Sequence, residues 1–328
     1  MRRACITGGA GFIGSNLADR LCELGVEVVI VDDFRTGRRE FVGELLKARA
    51  VTLHEGDVLD RGLLERAFKG CDWVFHLQAN ADVRHGLEHP QRDLEQNTVA
   101  TANVLEAMRA VGVSRIAFSS TGSVYGEPDV FPTPEVAPFP IQTSLYGASK
   151  LAGEGMIGAY AHGYGFAGVV FRFVSILGER YTHGHVFDFY CALKRDPTRL
   201  RVLGDGRQQK SYLYVKDCVA AITIAVESHS DRPGELGVYN LGTKETVFVD
   251  DSIAAICDHM GVDPALEHTG GVRGWAGDSP LIHLECARIH QLGWAPTLSI
   301  RQATKRTLEW FDANPYAWEA TVTEGTVA

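Results

Sequence analysis

The chain has 328 residues and a formal net charge of −9, with 45% apolar and 22% charged residues. A chain of this size and composition is typical of a globular protein that buries a large core without covalent staples. The negative charge excludes a global positive field, so the sequence predicts no nucleic-acid partner and no attraction to anionic membranes.

Cysteine usage and hydropathy exclude several further classes of protein. The seven cysteines are scattered with no C-x-x-C pair, which predicts reduced thiols and neither a disulfide framework nor a bound metal. Glycines from Gly8 onward break the apolar stretch after Met1, and no apolar run is long enough to span a bilayer. We therefore expect a cytoplasmic protein with no secretion signal and no membrane partner.

Strand and helix patterns alternate through the first half of the chain. In chain order they predict strands at residues 4–7, 26–32, 51–55, 73–77, 115–120 and 167–174, and helices at 11–24, 41–47, 61–68, 93–111 and 146–160. Alternation of this kind predicts an α/β fold in which helices cover both faces of a doubly wound parallel sheet.

The second half of the chain has shorter elements and long loops, and it predicts a smaller α/β domain that is partly inserted and C-terminal. Stretches at residues 212–226 and 238–241 look like returns to the large domain. The predicted boundaries are 1–173 for the large domain, with returning segments at about 211–243, then 174–210 and 244–313 for the smaller domain, and 314–328 for a loose tail.

A glycine-rich loop, T-G-G-A-G-F-I-G at residues 7–14, follows the first predicted strand. It satisfies G-x-x-G-x-x-G and, from Gly9, also G-x-G-x-x-G. Glycine allows the backbone to turn tightly and to approach a pyrophosphate, and the next helix N-terminus supplies N–H donors. Its place between a strand and a helix, at the start of a βαβ unit, predicts a dinucleotide-binding Rossmann domain.

Acidic residues follow the second and third predicted strands. Asp32 stands where a carboxylate accepts a hydrogen bond from the ribose 2′-hydroxyl, and its charge repels a 2′-phosphate, which favours NAD over NADP. Arg35, Arg38 and Arg39 argue the other way, since arginines here can hold that phosphate; otherwise they form a solvated loop or lie over the adenine. Asp57 suits either the adenine edge or a helix N-cap.

Tyr146 and Lys150 stand four residues apart at the start of the last predicted helix of the large domain, which places both side chains on one face. A tyrosine has an ordinary pKa of about 10, too high for a base at neutral pH. A nearby ammonium and a nicotinamide cation would both stabilise tyrosinate. Beside a dinucleotide site the pair predicts a hydride-transfer centre, although alone it would also fit an ordinary amphipathic helix.

With these motifs in place, the chain resembles the extended short-chain dehydrogenase/reductases that act on nucleotide sugars, most of all the sugar-nucleotide 4-epimerases of the UDP-glucose 4-epimerase type. The resemblance runs over about residues 3–312. It is carried by the glycine loop, G-D-V at 56–58, the His76-Leu77 strand end, S-S-T-G-S-V-Y-G at 119–126, the Tyr146 and Lys150 pair, and Y-N-L-G at 239–242. The large domain is then an NAD-binding domain and the smaller one a substrate-binding domain.

The resemblance implies a role for each matching position. Thr121, Tyr146 and Lys150 would be catalytic, with the Thr121 hydroxyl bonded to the substrate oxygen that loses its proton and Lys150 also bound to the nicotinamide ribose. The implied NAD-binding residues are Gly8, Gly11, Phe12, Ile13, Gly14, Asp32, Asp33, Phe34, Arg35, Asp57, Val58, Leu77, Gln78, Ala79, Asn97, Ser119, Tyr146, Lys150 and Phe173. The implied substrate-binding residues are Val83, Arg84, Thr121, Gly122, Ser123, Tyr146, Ser175, His185, Val186, Lys210, Tyr212, Arg273 and Asp278.

The two positions after Thr121 divide this superfamily by reaction. The 4,6-dehydratases carry Asp-Glu there and the decarboxylases commonly a glutamate, whereas this chain has Gly122 and Ser123. The resemblance therefore implies epimerisation at C4 of a nucleotide-diphosphate sugar through a 4-keto intermediate, with tightly bound NAD and a homodimer joined by the helices at 93–111 and 146–160. The alternatives are a 4,6-dehydratase, a decarboxylase, a reductase, or a non-catalytic NAD-binding sensor.

The substrate half departs from the family's pattern. Ser175 stands for the usual asparagine, and Lys210 replaces a diphosphate-binding arginine, which keeps the charge but loses the bidentate fork. Trp275 replaces a second arginine, and Arg273 nearby either reaches the diphosphate or is a surface cation. Gln78 stands for a small alanine.

Three other residues bear on the substrate. Arg84 either meets a carboxylate or extra hydroxyls on the sugar, or is solvated. His183 and His185 lack metal-ligand spacing and suit a surface or base-stacking role. The departures imply a substrate other than plain UDP-glucose: a hexuronic acid, an N-acetylhexosamine or a heptose, on UDP, GDP or ADP.

Overall fold

The computed structural model describes residues 1–80, 86, 88–139, 141–230 and 232–324. The strands of the first half are β1 (Arg3–Thr7), β2 (Glu27–Asp32), β3 (Val51–Glu55), β4 (Trp73–His76), β5 (Arg115–Thr121) and β6 (Ala167–Phe173). The helices are α1 (Phe12–Glu23), α2 (Arg39–Lys47), α3 (Arg61–Phe68), α4 (Pro90–Asp93), α5 (Ala100–Val111) and α6 (Leu145–Tyr164). Each strand and helix predicted for this half is present, within a few residues of its predicted ends.

The helix predicted over residues 93–111 is present as a continuous helical segment, but a π-helix, Leu94–Val99, joins α4 to α5 in its first part. Apolar periodicity does not reveal a wider turn, because a π-turn changes the spacing for only a few residues. The consequence is local: Asn97, in the π-helix, is buried against the loop that follows β4.

The second half contributes shorter elements. Its strands are β7 (Ser175–Leu177), β8 (Arg199–Val202), β9 (Gln209–Lys210), β10 (Tyr212–Tyr214), β11 (Leu236–Leu241), β12 (Val247–Phe248), β13 (Ala265–His268) and β14 (Leu281–Ile282). Its helices are α7 (His185–Arg195), α8 (Val215–Ser228), α9 (Val249–Met260), α10 (Ala287–Gln291), α11 (Ile300–Ala313) and α12 (Glu319–Glu324).

Within the described ranges, the main sheet has seven parallel strands in the order β11-β6-β5-β4-β1-β2-β3. The central strands β1, β4 and β5 are buried at nearly every position and β6 at every position, as expected for strands with helices on both faces. The predicted doubly wound α/β fold is confirmed. The chain moves outward in one direction from β1 and in the other from β4, and a crevice is expected at the carboxyl ends of the strands where the order reverses.

Two segments of the second half were predicted to return to the large domain. β11 pairs in parallel with β6 and extends the main sheet, and α8 packs on α1. β10 instead pairs with β7, outside the main sheet. The division of the chain into two domains stays a prediction.

The expectation of a loose tail from residue 314 is wrong for its described part. α12 packs against α7, a 3-10 turn, Pro315–Ala317, packs against α11 and α12, and Ala317 is fully buried. The Trp318 ring lies edge-on to Tyr190, with centroids 5.5 Å apart, and its Nε1 donates to the Phe311 carbonyl at 2.9 Å. The aromatic side chains of this segment are its anchors.

No helix among the described residues has the length and apolar character needed to cross a membrane.

Candidate active site

A cleft of about 680 Å³ lies at the carboxyl ends of the main-sheet strands, where the chain order reverses. Most of the predicted cofactor-binding residues line it: Gly8, Gly11, Phe12, Ile13, Gly14, Asp32, Asp33, Arg35, Asp57, Val58, Leu77, Gln78, Ala79, Ser119, Tyr146, Lys150 and Phe173. Several predicted substrate-binding residues line it as well: Thr121, Ser123, Ser175, His185, Lys210, Tyr212 and Asp278. Six strand ends thus bring distant parts of the sequence into one cleft.

The glycine loop holds the end of β1 against the first turn of α1. Gly8 has a φ of +72°, and its carbonyl oxygen would lie 2.1 Å from a Cβ built on Gly14. Only glycine at both positions permits this approach. Among the described residues, no side chain caps the N-terminus of α1 at Gly11, so its first N–H groups remain for an anionic ligand. This cradle fits a dinucleotide pyrophosphate.

Asp32 is fixed rigidly at the end of β2. Its carboxylate accepts from the backbone N–H groups of Ala10 at 2.8 Å and Phe34 at 2.9 Å. Gly37 packs so closely on it that a built Cβ would lie 2.6 Å from Oδ1. Burial raises the pKa of Asp32, and the two N–H donors oppose that effect. The acid is therefore held in place for a ribose hydroxyl.

The three arginines after β2 are already engaged. Arg35 pairs with Asp33 and Asp57, each at 3.0 Å. Arg38 donates to the backbone carbonyls of residues 316 and 317, and Arg39 pairs with an exposed glutamate at the end of β3. These contacts weigh against a 2′-phosphate held by the arginines and support the choice of NAD.

Asp57 lines the cleft, and its alternative role as the N-cap of α3 is wrong. That cap is Asp60, whose side chain accepts from the backbone N–H of Leu63 at 3.1 Å. The Asp57 carboxylate instead binds Arg35 at 3.0 Å and the Gln96 amide at 3.3 Å. This placement leaves it available for the adenine end of the cofactor.

Two predicted cofactor-binding residues do not line the cleft. Asn97 is buried behind it, where it accepts from the Asn80 backbone at 2.8 Å and donates to Ser149 Oγ at 2.8 Å. Phe34 acts through its backbone, which donates to Asp32. Both residues therefore position the lining rather than forming it.

The three predicted catalytic residues come together at the ends of β5 and α6. Ser144 caps α6 by accepting from the Gly147 backbone, which fixes the turn that carries Tyr146. The Tyr146 phenol is hydrogen-bonded to Thr121. The Lys150 ammonium donates to the Ser119 carbonyl at 2.8 Å. A hydroxyl, a phenol and an ammonium thus meet at one end of the cleft.

Burial dominates the acidity of this group. It raises the pKa of Tyr146 to about 12, while the hydrogen bond with Thr121 acts in the opposite direction. It lowers the pKa of Lys150 to about 7, while the Glu154 carboxylate opposes that change. The fall in the Tyr146 pKa that was expected from a nearby ammonium is not found, since burial raises this pKa and the Asp93 carboxylate adds to the rise. Residue spacing alone does not show how far a side chain is withdrawn from water.

A buried ion pair that the sequence reasoning missed lies directly behind the catalytic group. Glu154, one turn after Lys150, binds Arg172 of β6 through two hydrogen bonds of 3.1 and 2.7 Å. It also accepts a short hydrogen bond from Ser120, the residue between Ser119 and Thr121. The signal was an acid four residues after Lys150, together with an arginine in the otherwise apolar strand β6. The pair fixes the end of β5 against α6.

The substrate end of the cleft contains a second partly buried pair. Lys210 binds Asp278 Oδ1 at 2.6 Å and the Ser279 carbonyl at 2.7 Å. The Tyr212 hydroxyl makes a short hydrogen bond to the His185 ring. Burial lowers the pKa of His185 to about 3, and Lys210 adds to the effect. His185 is therefore neutral at physiological pH.

Arg273 does not line the cleft and is exposed in a loop, as the surface-cation alternative predicted. Its guanidinium donates to the Asp278 carbonyl at 2.7 Å and pairs with Glu127 at 2.5 Å, so it braces the loop that carries Asp278. Trp275, from the same loop, does line the cleft.

Four other predicted substrate-binding residues also lie outside the lining or outside the described part of the chain. Gly122 and Val186 are buried in the packing behind the cleft. Val83 and Arg84 lie outside the described residues. Among the residues that the structure describes, no cluster of three or more His, Cys, Asp or Glu side chains could hold a metal ion.

Further residues that were not predicted for the site also line the cleft. Those with polar or aromatic side chains are Thr36, Asn80, Arg92, Gln96, Ser120, Tyr181, His183, Asp188, Trp275 and Ser279. His183 was expected in a surface or base-stacking role, and Trp275 was noted because it replaces an arginine. The others carry no spacing signal, because they reach the cleft from turns whose course the sequence does not fix.

Comparison with known proteins gives the same picture. The chain matches the NAD dependent epimerase/dehydratase family over residues 4–242. A protein described as a putative UDP-glucose 4-epimerase from Methanocaldococcus jannaschii is 31% identical over 323 residues, which span 94% of this chain and 98% of the relative. UDP-glucuronic acid decarboxylase 1 of Arabidopsis thaliana is 30% identical over 320 residues, which span 94% of this chain and 69% of the relative.

A solved structure is similar over the same length. The Thermus thermophilus UDP-glucose 4-epimerase in complex with NAD is 31% identical, with a TM-score of 0.84, and the match covers 94% of this chain and 99% of that one. The family resemblance and the NAD prediction are confirmed. The relatives catalyse more than one reaction, so the reaction of this chain stays a prediction.

Replacing Gly14 by alanine should weaken NAD binding by at least about tenfold, a loss of roughly 1.4 kcal/mol. The new Cβ would lie 2.1 Å from the Gly8 carbonyl oxygen, and backbone would have to move to admit it. Isothermal titration with NAD measures the effect. The matched control is Gly43→Ala in α2, where a built Cβ meets nothing within 4 Å. Equal NAD affinity in the two variants would contradict the role of the close approach.

Replacing Glu154 by glutamine should lower the free energy of unfolding by roughly 3–5 kcal/mol, because it leaves the Arg172 guanidinium buried without its counter-charge. Urea unfolding measures the loss. Glu65→Gln removes the exposed Arg61–Glu65 pair and should cost at most about 1 kcal/mol. A Glu154→Gln variant as stable as Glu65→Gln would show that the buried pair is not needed for folding.

Proposed function

Because the chain belongs to the NAD-dependent epimerase/dehydratase family, we propose that it is a nucleotide-sugar 4-epimerase that inverts C4 of a nucleotide-diphosphate sugar. The observation that carries the proposal is the catalytic group itself. Thr121, Tyr146 and Lys150 meet in the cleft, while the positions after Thr121 are Gly122 and Ser123 rather than carboxylates. The group suits reversible oxidation of one hydroxyl and supplies no additional acid or base there.

The proposed reaction needs one proton acceptor and returns the same proton. Tyr146 takes the proton of the sugar 4-hydroxyl, which Thr121 orients through its own hydroxyl. NAD, when bound, would take up hydride from C4 and return it, so the reaction would have no net oxidation. The ketone formed at C4 turns over in the cleft, and hydrogen returns to its other face. Tyr146 then restores the proton to the oxygen, which completes the inversion.

The electrostatics of the site suit a base that loses its proton only when oxidised NAD is bound in the cleft. With a pKa raised to about 12, the Tyr146 phenol keeps its proton at neutral pH unless positive charge lies beside it. The nicotinamide ring of oxidised NAD and the protonated form of Lys150 both favour tyrosinate. Lys150 is held by the Ser119 carbonyl at 2.8 Å, and the Glu154 carboxylate raises its pKa.

The opposite end of the cleft suits the diphosphate. Lys210 is only 13% exposed and is oriented by Asp278 and the Ser279 carbonyl, so its charge is fixed in direction. A lysine neutralises phosphate as a point charge, without the two parallel hydrogen bonds of an arginine. Trp275 lies beside it, with the Lys210 ammonium 5.8 Å from the ring. The two residues together suit a diphosphate followed by a flat nucleobase.

The two-domain division, the cytoplasmic location and the homodimer remain part of the proposal. Leu94, Val99 and Tyr164 leave apolar surface exposed along the π-helix and α6, the region by which relatives were expected to pair. A monomer mass measured by analytical ultracentrifugation would contradict the homodimer.

Decarboxylation is the second candidate, because a UDP-glucuronic acid decarboxylase matches 94% of this chain at 30% identity. It would begin with the same oxidation at C4 but would release carbon dioxide from a hexuronic acid. The two reactions therefore differ in the mass of the product rather than in the first step.

Tyr146→Phe should reduce turnover by at least about a hundredfold, as expected for the loss of a general base, while leaving NAD bound. Product formation and NAD content are measured on the same preparation. Tyr164→Phe, on the exposed far end of the same helix, is the matched control and should retain full activity. Turnover of Tyr146→Phe close to that of the control would refute the assigned base.

The product should have the same mass as the substrate and the opposite configuration at C4. A panel of UDP-, GDP- and ADP-linked hexoses, hexuronic acids, N-acetylhexosamines and heptoses is incubated with the protein and followed by mass spectrometry and proton NMR. Loss of carbon dioxide would replace the proposal with decarboxylation, and loss of water with dehydration.

A further inference from the structure

The C-terminal segment is hydrogen-bonded to the loop between β2 and α2 through the side chain of Arg38. We call residues 315–324 the strap; they comprise the 3-10 turn Pro315–Ala317, Trp318 and α12. Arg38, at the start of α2, donates from Nη1 to the Tyr316 carbonyl at 3.0 Å and from Nη2 to the Ala317 carbonyl at 2.9 Å. A guanidinium bound to two successive carbonyls fixes the distance between the strap and the loop before α2.

Arg38 does not line the cleft, but its backbone is linked through Ala10 to Asp32, which does. Its backbone N–H donates to the Ala10 carbonyl at 3.0 Å, and the Ala10 N–H in turn donates to the Asp32 carboxylate at 2.8 Å. Gly37, the preceding residue, lies directly on that carboxylate. A displacement of Arg38 would therefore move both the glycine loop and the covering of Asp32.

The strap has its own anchors on the other side. Trp318 packs edge-on against Tyr190 of α7, and the Lys194 ammonium lies 5.3 Å from the Trp318 ring. Further along, Arg195 donates to the carbonyls of Thr321 and Val322 at 3.0 and 3.3 Å. The strap is thus fixed to α7 independently of its contact with Arg38, and it can transmit a restraint to the loop.

We propose that the strap slows the release of bound NAD, and we call this action the clamp. Arg38 is the positioning residue that links the strap to the loop over Asp32. Opening of the loop breaks the two bonds from Arg38 to the strap, so the strap slows release of the dinucleotide. The clamp holds the cofactor whatever sugar the protein acts on, and its failure would leave the proposed epimerase intact.

The clamp has a reciprocal consequence. If the strap favours the NAD-bound loop, NAD must favour the docked strap by the same factor, since coupling between two sites is symmetric. Couplings of this kind are typically about 5–150-fold in affinity. NAD should therefore slow hydrogen exchange at the amides of Ala317 and Trp318, which bond to the carbonyls of Asn314 and Pro315.

The release rate of NADH tests the clamp in the full-length chain. The protein is loaded with NADH, excess NAD is added as a chase, and the loss of protein-bound NADH fluorescence is followed. Arg38→Ala and Trp318→Ala should each release NADH about tenfold faster than the unaltered chain. The double variant should release it no faster than either single variant, because both changes break one connection.

Arg232→Ala is the matched control, since it removes an exposed arginine that pairs with Glu235 rather than with the strap, and its release rate should be unchanged. An unchanged rate in Arg38→Ala overturns the proposal. So does a double variant whose effect is the product of the two singles, because Arg38 would then act without the strap. If Trp318→Ala fails to fold, exchange at Ala317 and Trp318 in the unaltered chain decides, and equal rates with and without NAD overturn the clamp.

Discussion

The close approach of α1 to the end of β1 is the constraint on which the rest of the site depends. Gly14 lies so near the Gly8 carbonyl that no side chain fits between them, and Gly11 leaves the helix without a side-chain cap among the described residues. Through Ala10, the same loop bonds to Asp32 of the neighbouring strand. The anion cradle and the ribose acceptor are thus one rigid unit, and the cleft extends from it along the strand ends.

The fold and the centre of the site could be predicted because their signals are local. Short apolar runs that alternate with helical patterns indicated the strands of the main sheet. The glycine loop, Asp32 and the Tyr146–Lys150 spacing each indicate their chemistry through residues close to them in sequence. Long-range contacts could not be predicted. Nothing near Arg38 indicates that its partners are carbonyls at residues 316 and 317, and nothing near Asn97 indicates a π-turn packed behind the cleft.

The pKa values of the site show the same difference between what residue spacing predicts and what burial determines. The sequence placed a lysine beside a tyrosine, and that geometry is present, but burial raises the pKa of Tyr146 and lowers that of Lys150. In the proposed reaction, Tyr146 would keep its proton until positive charge enters the cleft. The buried pair of Glu154 and Arg172 holds the strand end that carries Thr121, and the Glu154 carboxylate opposes the fall in the Lys150 pKa.

In the proposed reaction, hydrogen leaves C4 of a nucleotide sugar and returns to the same carbon within the cleft. A substrate with deuterium at C4 tests this step in ordinary water, with the product examined by NMR and mass spectrometry. We expect an epimer that retains its deuterium at C4. Replacement of that deuterium by solvent hydrogen, or inversion at another carbon with C4 untouched, would contradict it.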